Sequence, residues 1–368
     1  MDIPVTSLRA VLDRTRESWQ ANLEQLYRDA WFILGPQVKA FELEFAEAHG
    51  ARHAVGCASG TDAINLLLRS AGITSRSQRV LTSALTAPFT GIAILSAGAT
   101  PTFADIDPET LQIDANDAAA RLTKNVAALL PVHLYGQPCR IDQFVALAKQ
   151  HSVALFQDAC QAHGAYFHAR QPLTHFSAAA YSFYPTKNLG CLGDGGAILT
   201  NDGQLAERLR ILRNGGRQND QLSRLPEAIN SRLDEMQACY LRAFLPSLEE
   251  WNAERASYAK LYNEAFAGMD GLRLPRREPC CVWHLYVILT PQRDALREHL
   301  ARHSIGTGIH YPVPLHLNPA FDSAGLRKGD LPHAERACDE LLSLPLWPGL
   351  GQSAALRVIE TVQSFFRQ

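Results

Sequence analysis

The chain of 368 residues has no run approaching the roughly 20 apolar residues of a membrane-spanning helix, so nothing in it points to a membrane. Charge of one sign is missing as well. The 35 basic residues against 37 acidic ones leave −2, which removes the electrostatic case for nucleic acid or an anionic bilayer. The opening Met1-Asp-Ile-Pro-Val-Thr-Ser7 lacks the basic and apolar regions of a signal peptide. Cysteine is present but unorganised: positions 57, 139, 160, 191, 239, 280, 281 and 338 contain no C-x-x-C pair. A disulfide framework or zinc site is not indicated, and free thiols in the cytoplasm are expected. Internal repeats and low-complexity segments are absent too. The glycines of Gly190-x-x-Gly193-x-Gly195-Gly196 fit neither the dinucleotide nor the Walker spacing, and they precede a strand where both motifs open a helix. That argues against a nicotinamide dehydrogenase. His310 and His316 stand in a proline-rich loop without acidic or cysteine companions, so no metal is expected there.

What is present is a globular composition, 46% hydrophobic and 20% charged, in a chain long enough for one large domain and a smaller one. Between residues 53 and 200 short apolar runs alternate with helical patterns. Strands are expected at His53–Cys57, Arg79–Ala84, Thr100–Ile106, Val126–His133 and Val153–Gln157, with helices at Thr61–Ala71, Thr90–Ala97 and Asp142–His151. Such alternation implies an α/β fold, a mostly parallel central sheet covered by helices. Two closely spaced strands follow, Ala178–Phe183 and Ala197–Thr200, then a capped helix at Asp202–Arg213. A long helical pattern from Leu233 towards Gly268 is interrupted at Pro246. The large domain is therefore expected over 1–245, with a helical N-terminal segment, and a smaller α+β domain over 246–368. In the latter, strands are expected at Trp283–Leu289 and near Thr307–His310, and helices at Arg293–Ser304, His333–Leu342 and Ala354–Phe366.

Polar residues cluster where the apolar runs stop. Asp158 follows Val-Ala-Leu-Phe-Gln; it reads either as a cap for a helix beginning at Ala159 or as a partner for a protonated ring nitrogen. Gln161, three residues on, could reach a hydroxyl on such a ring. His163 could approach a substrate, although a lone histidine is more often structural. Ser182-Phe-Tyr-Pro-Thr-Lys187-Asn-Leu-Gly190 carries one lysine at a strand end. By itself that is a solvated surface charge; at the mouth of a sheet it is an amine able to form a Schiff base with a carbonyl compound such as pyridoxal phosphate (PLP). Cys57-Ala-Ser-Gly60-Thr61-Asp62 joins a strand to a helix. It is either an ordinary capped start or an anion site built from backbone N–H groups, with Ser182 as a second phosphate ligand.

Taken together and in order, these segments resemble the PLP-dependent sugar aminotransferases of the DegT/StrS type, within fold-type I of PLP enzymes. The resemblance spans nearly the whole chain. It adds Trp31-Phe-Ile-Leu-Gly-Pro36, Ala97-Gly-Ala-Thr-Pro101, Pro131-Val-His-Leu-Tyr-Gly-Gln137, Asn230-Ser-Arg-Leu-Asp-Glu235 and Gly308-Ile-His-Tyr-Pro-Val-Pro-Leu315. It implies that Lys187 is the Schiff-base lysine, Asp158 the pyridinium partner and Gln161 the neighbour of the ring's phenolic oxygen. Gly60, Thr61 and Ser182 would hold the phosphate, and Asn230 would reach the phosphate of a neighbouring subunit, giving a homodimer with composite sites. His310 and Tyr311 would help to form the sugar-nucleotide pocket. The implied reaction moves an amino group from L-glutamate to a keto-sugar nucleotide, in the first place a dTDP-3-keto-6-deoxyhexose. A 4-keto or UDP-linked sugar, a cyclitol, or a regulatory protein without catalysis are the alternatives. Relatives that dehydrate deoxysugars carry histidine in place of the lysine, so Lys187 argues against that reaction. The sequence departs from the family in Leu85-Thr-Ala-Pro-Phe-Thr90, where alanine occupies the place of a ring-stacking aromatic; Phe89 or His163 are the candidates to replace it. Leu212-Arg-Asn-Gly-Gly-Arg217 also has glycine where many members have Tyr-Gly.

Overall fold

The computed structural model describes residues 2–167, 171–218 and 222–367. Three helices precede the sheet: α1 (Arg9–Arg14), α2 (Arg16–Asp29) and α3 (Pro36–Ala48). The sheet region then runs β1 (His53–Cys57), α4 (Gly60–Ser70), β2 (Arg79–Ser83), α5 (Pro88–Ala97), β3 (Thr100–Ala104), α6 (Ala115–Ala120), β4 (Val126–Leu130) and α7 (Ile141–His151). It continues through β5 (Ala154–Leu155), β6 (Gln157–Asp158), the small hairpin β7 (Tyr166–Phe167) and β8 (Gln171–Pro172), β9 (Ala179–Ser182), β10 (Gly196–Thr200), α8 (Gly203–Leu212) and α9 (Glu235–Phe244).

Two four-stranded ladders, β3-β2-β4-β5 and β1-β10-β9-β6, meet edge to edge. Only Phe156 separates β5 from β6. The bonds Phe156 N to Leu129 O and Asp158 N to Pro131 O, each 3.0 Å, carry the pairing with the β4 segment across the gap. The spatial order is thus β3-β2-β4-β5/β6-β9-β10-β1, and β10 alone runs against its neighbours. Alternate strand residues face opposite cores. Val80, Ala128, Leu130, Ala180 and Ile198 pack with α4, α5 and α8. Leu81, Leu129, Ala179, Tyr181 and Leu199 pack with α3, α7 and α9. Both faces being covered, the strands read as apolar runs rather than as alternation, which is why the sequence displays them.

Pro246 lies in a single 3₁₀ turn, Leu245–Ser247, between α9 and α10 (Leu248–Phe266). Beyond it come β11 (Tyr286–Leu289), α11 (Arg293–Arg302), α12 (Pro332–Glu340), β12 (Leu341–Leu344) and α13 (Gln352–Phe366). Tyr262, Phe266, Ile288, Leu300 and Val358 form one core among them, while α12 and the other face of β11 pack with Ala84, Phe103 and Tyr135 of the sheet region. Two expectations fail here. The helix expected over His333–Leu342 stops at Glu340, and Leu341–Leu344, buried throughout, pairs antiparallel with β11. Near Thr307–His310 there is only the single bridge Gly308–Ser343. A short apolar run serves a buried strand or a buried helix end equally well, and pairing decides between them.

Candidate active site

The site forms where β1, β6 and β9 end together. Ser59 caps α4, its hydroxyl accepting the Asp62 N–H at 3.1 Å. The N–H groups of Gly60 and Thr61, in the first helical turn, have no acceptor within the helix and are free to hold an anion. Glycine at 60 is required by space: a Cβ there would come 2.5 Å from the Ser182 Cβ and 2.8 Å from the Cys160 Sγ. Ser182 ends β9 beside this helix start, and its hydroxyl accepts the Tyr184 N–H at 3.3 Å. The lysine loop follows, closed by Lys187 N donating to Tyr184 O at 2.9 Å. Burial pushes the Lys187 amine below the ordinary lysine value, while Cys160 and Asp158 pull in the other direction.

Asp158, 4% exposed, is not a helix cap. One carboxylate oxygen accepts from Thr90 Oγ1 at 2.8 Å and the other from the Cys160 N–H at 3.1 Å. Thr90 stands in turn 3.2 Å from Thr86 Oγ1. Gln161 accepts the Tyr135 N–H at 2.7 Å and donates to Tyr311 Oη at 3.1 Å. Tyr311 therefore reaches the site from the C-terminal region, and the Tyr135 hydroxyl donates to the His310 carbonyl. The His310 ring bonds Ser343 Oγ at 2.9 Å, and burial holds its pKa below the usual value, with Lys187 acting in the same sense.

His163 departs from expectation. It is 0% exposed, with neither ring nitrogen hydrogen-bonded, and packs against Tyr181 and Phe183 with centroids 5.4 and 5.8 Å away. It has no surface to offer a substrate or a ring; its place is in the core behind the loop. Phe89 is 62% exposed in the first turn of α5, which leaves it as the free aromatic beside Ala87. Asn230 is exposed and bridges Asn214, touching none of the residues around Lys187. Its neighbour Ser231, 0% exposed, binds both the Ala58 N–H at 3.0 Å and an Asp62 oxygen at 2.7 Å, bracing the α4 entrance. Thr86, Thr90, Ser231 and Cys160 escaped the sequence reading; the i, i+4 pair of threonines flanking Ala87 was the one signal that could have drawn attention to α5.

The arrangement joins an amine of lowered basicity, a carboxylate fixed by two donors and a helix N-terminus, in the manner of α/β enzymes that bind a phosphorylated carbonyl cofactor through lysine. The chain belongs to the DegT/DnrJ/EryC1/StrS aminotransferase family, whose pattern it matches over residues 13–363. It is 41% identical over 365 residues to the dTDP-3-amino-3,4,6-trideoxy-alpha-D-glucose transaminase of Streptomyces venezuelae, covering 99% of this chain and 96% of that protein. The UDP-N-acetyl-3-dehydro-alpha-D-glucosamine 3-aminotransferase of Acidithiobacillus ferrooxidans is 36% identical, with 98% and 97% covered. Among solved structures, S. venezuelae DesV in complex with a ketimine intermediate superposes with a TM-score of 0.96 at 41% identity, covering 100% of this chain and 99% of that one. The fold is that of the PLP aminotransferases.

Proposed function

We propose that this protein is a PLP-dependent aminotransferase that moves an amino group from L-glutamate to a nucleotide-linked keto-sugar, a dTDP-3-keto-6-deoxyhexose before a UDP-linked or 4-keto one. The observation that carries the reading is the convergence of Lys187, Asp158 and the α4 N-terminus at one sheet edge. The residues fit the group. Gly60, Thr61 and Ser182 would hold its phosphate, Asp158 its ring nitrogen, and Gln161 its phenolic oxygen. Bound there, PLP supplies an electron sink that acidifies the Cα–H bond of an attached amino acid. Lys187 would be the base that moves the proton from the amino acid's Cα; its lowered basicity leaves more of it unprotonated near neutral pH. Asp158, held by Thr90 and the Cys160 N–H, would be the group that faces the ring nitrogen.

His310 and Tyr311 are assigned to the sugar-nucleotide pocket because Tyr311 contacts Gln161. The amination at C-3 of a dTDP-sugar is preferred because the transaminase of that description is 41% identical, against 36% for the UDP-sugar enzyme. A homodimer with composite sites is supported by Asn230, exposed and joined to Asn214 by a single bridge among the described residues, and by the exposed Trp31, Phe32, Ile33 and Met236, which crowd one patch where Glu235 N meets Phe32 O. The division at 245/246 is kept as the domain boundary, and the cytoplasm as the compartment. The test is the absorption spectrum with PLP before and after L-glutamate alone. Conversion of the visible band to the near-ultraviolet band of the aminated cofactor is expected, and Lys187→Ala should abolish it. Retained turnover in Lys187→Ala with any keto-sugar would sink the reading.

A further inference from the structure

Asn188, next to Lys187 in sequence, is 3% exposed. Its amide nitrogen donates to Asn252 Oδ1 at 2.7 Å and to the Val282 carbonyl at 2.8 Å. Both amide protons are thereby used, so the oxygen is the group that faces His284 Nδ1 at 3.1 Å. An amide oxygen only accepts, and this fixes the tautomer: Nδ1 of His284 carries the proton. Asn252 then donates from Nδ2 to the His163 carbonyl at 2.9 Å. The four groups form one directed chain, from His284 to Asn188 to Asn252 to His163, with every amide atom satisfied.

The chain connects two parts of the molecule. Asn188 and His163 belong to loops at the sheet edge. Asn252 sits on α10, and Val282 and His284 lie just before β11. The first turns of α10 and Val282 pack on the sheet-side core, while the later turns of α10 and Tyr286 belong to the C-terminal core. On its other side the lysine loop is already tightly folded, since a Cβ at Gly190 would lie 2.4 Å from the Pro185 carbonyl. Leu192 N–H donates to Gln237 Oε1 at 3.0 Å further along, and Asn188 is the fastening next to the lysine itself. A lysine side chain has a flexible four-carbon stem, so the position of its amine depends on how firmly its backbone is held.

We propose that His284, Asn188 and Asn252 act as a positioning relay that sets the reach of the Lys187 amine and ties it to the C-terminal region. This rests on Lys187 being the cofactor lysine. The charged and titratable groups around that amine are Asp158 and Cys160 on one side and His163, His284 and His310 on the other, with Arg255 behind the loop. Burial disfavours the charged form of all three histidines, so an intact relay holds the amine beside imidazoles that resist protonation.

The test uses His284→Leu, which removes the donor, His284→Asn, which restores an N–H close to the Nδ1 position, and Asn188→Ala. Two readouts are taken. In the full-length protein with PLP, the rate constant of the L-glutamate half-reaction should fall about 10²-fold in His284→Leu and Asn188→Ala, as for a misplaced catalytic group, with little change in KM. In the cofactor-free protein, the pH midpoint for acylation of Lys187, read by peptide mass, should move up towards that of an ordinary lysine. His284→Asn should stay near wild type in both. If His284→Asn behaves as badly as His284→Leu, or Asn188→Ala leaves both readouts unchanged, the relay is overturned. A wild-type protein giving no visible band with PLP would instead refute the aminotransferase reading, and the acylation midpoints would still decide the relay.

Discussion

Among the residues of the site, Asp158 is the one whose surroundings are most fully determined. Its two oxygens have different partners, a threonine hydroxyl and a backbone N–H, so the carboxylate cannot rotate without losing one. Replacing Thr90 by Val removes a hydrogen bond to a charged group, worth about 1.5–3 kcal/mol, and should weaken PLP binding by roughly 10- to 100-fold. A titration of the visible band should show this, with Thr90→Ser close to wild type; unchanged affinity in the valine variant would mean that Thr90 has no part in holding Asp158. Gly60→Ala is expected to be worse, since the added methyl meets Ser182 and Cys160 and the helix start would have to move away from the phosphate site. Asp158 and Ser182 drew attention in the sequence because each ends a buried run, and Gly60 and Lys187 because each follows shortly after one; the roles given to them were implied by the family resemblance. Thr90 was not, because its partner is 68 residues away and only the docking of α5 against the sheet brings them together. His163 shows the converse: no local pattern distinguishes a histidine facing a ligand from one packed against Tyr181 and Phe183.

Between elements, two motifs far apart in sequence explain each other. The Trp31–Pro36 segment leads into α3, and the Asn230–Glu235 segment leads into α9. Glu235, 0% exposed, accepts the N–H groups of Gly35 at 2.7 Å, Gln37 at 2.7 Å and Val38 at 3.0 Å. One carboxylate thus serves as the cap of α3 from 197 residues or more away, stabilised by the partial positive charge of the helix N-terminus. Truncation by Glu235→Ala would leave three buried donors unsatisfied. A loss of about 3 kcal/mol or more is expected in urea unfolding, and a loss under about 1 kcal/mol, the size of an ordinary surface effect, would show that water takes over the capping. Sheet strands were readable as elements because burial on both faces makes them apolar throughout. The β12 strand and the meeting of α3 with Glu235 were not, since both depend on partners far along the chain that no local periodicity encodes.

At the scale of the molecule, the dimer and the stability of the fold can be tested separately. If Asn230 serves the neighbouring subunit, mixing inactive Lys187→Ala with inactive Asn230→Ala should restore partial activity through hybrids that hold one intact site, and no recovery after subunit exchange would make the sites independent. The pH dependence of stability below neutrality is set by buried histidines. His49 receives the Gly164 N–H on Nε2 at 3.0 Å and faces the Phe45 carbonyl with Nδ1 at 3.0 Å. His133 receives the Cys139 N–H on Nδ1 at 3.1 Å and faces Gln157 Oε1 with Nε2 at 3.0 Å. Each ring is already one donor and one acceptor, and protonation would turn the acceptor towards another N–H. Burial accordingly lowers both from 6.5 to about 4. Below pH 6.5 the unfolded chain binds protons that the folded one refuses, so this stability is complete above 6.5 and is lost as pH falls towards 4, up to about 3 kcal/mol for each ring. His163 and His284, lowered by burial as well, act in the same direction. The carboxylates held below their usual range, Asp142, Glu254 and Glu335, act only at lower pH, because their contribution persists until the ordinary carboxylate range is reached. Lys187, also lowered by burial, has its effect on the alkaline side of this window. Urea midpoints between pH 7 and 5 should therefore fall steeply on account of histidine alone. A flat profile over that range would mean that these imidazoles are not held neutral in the fold.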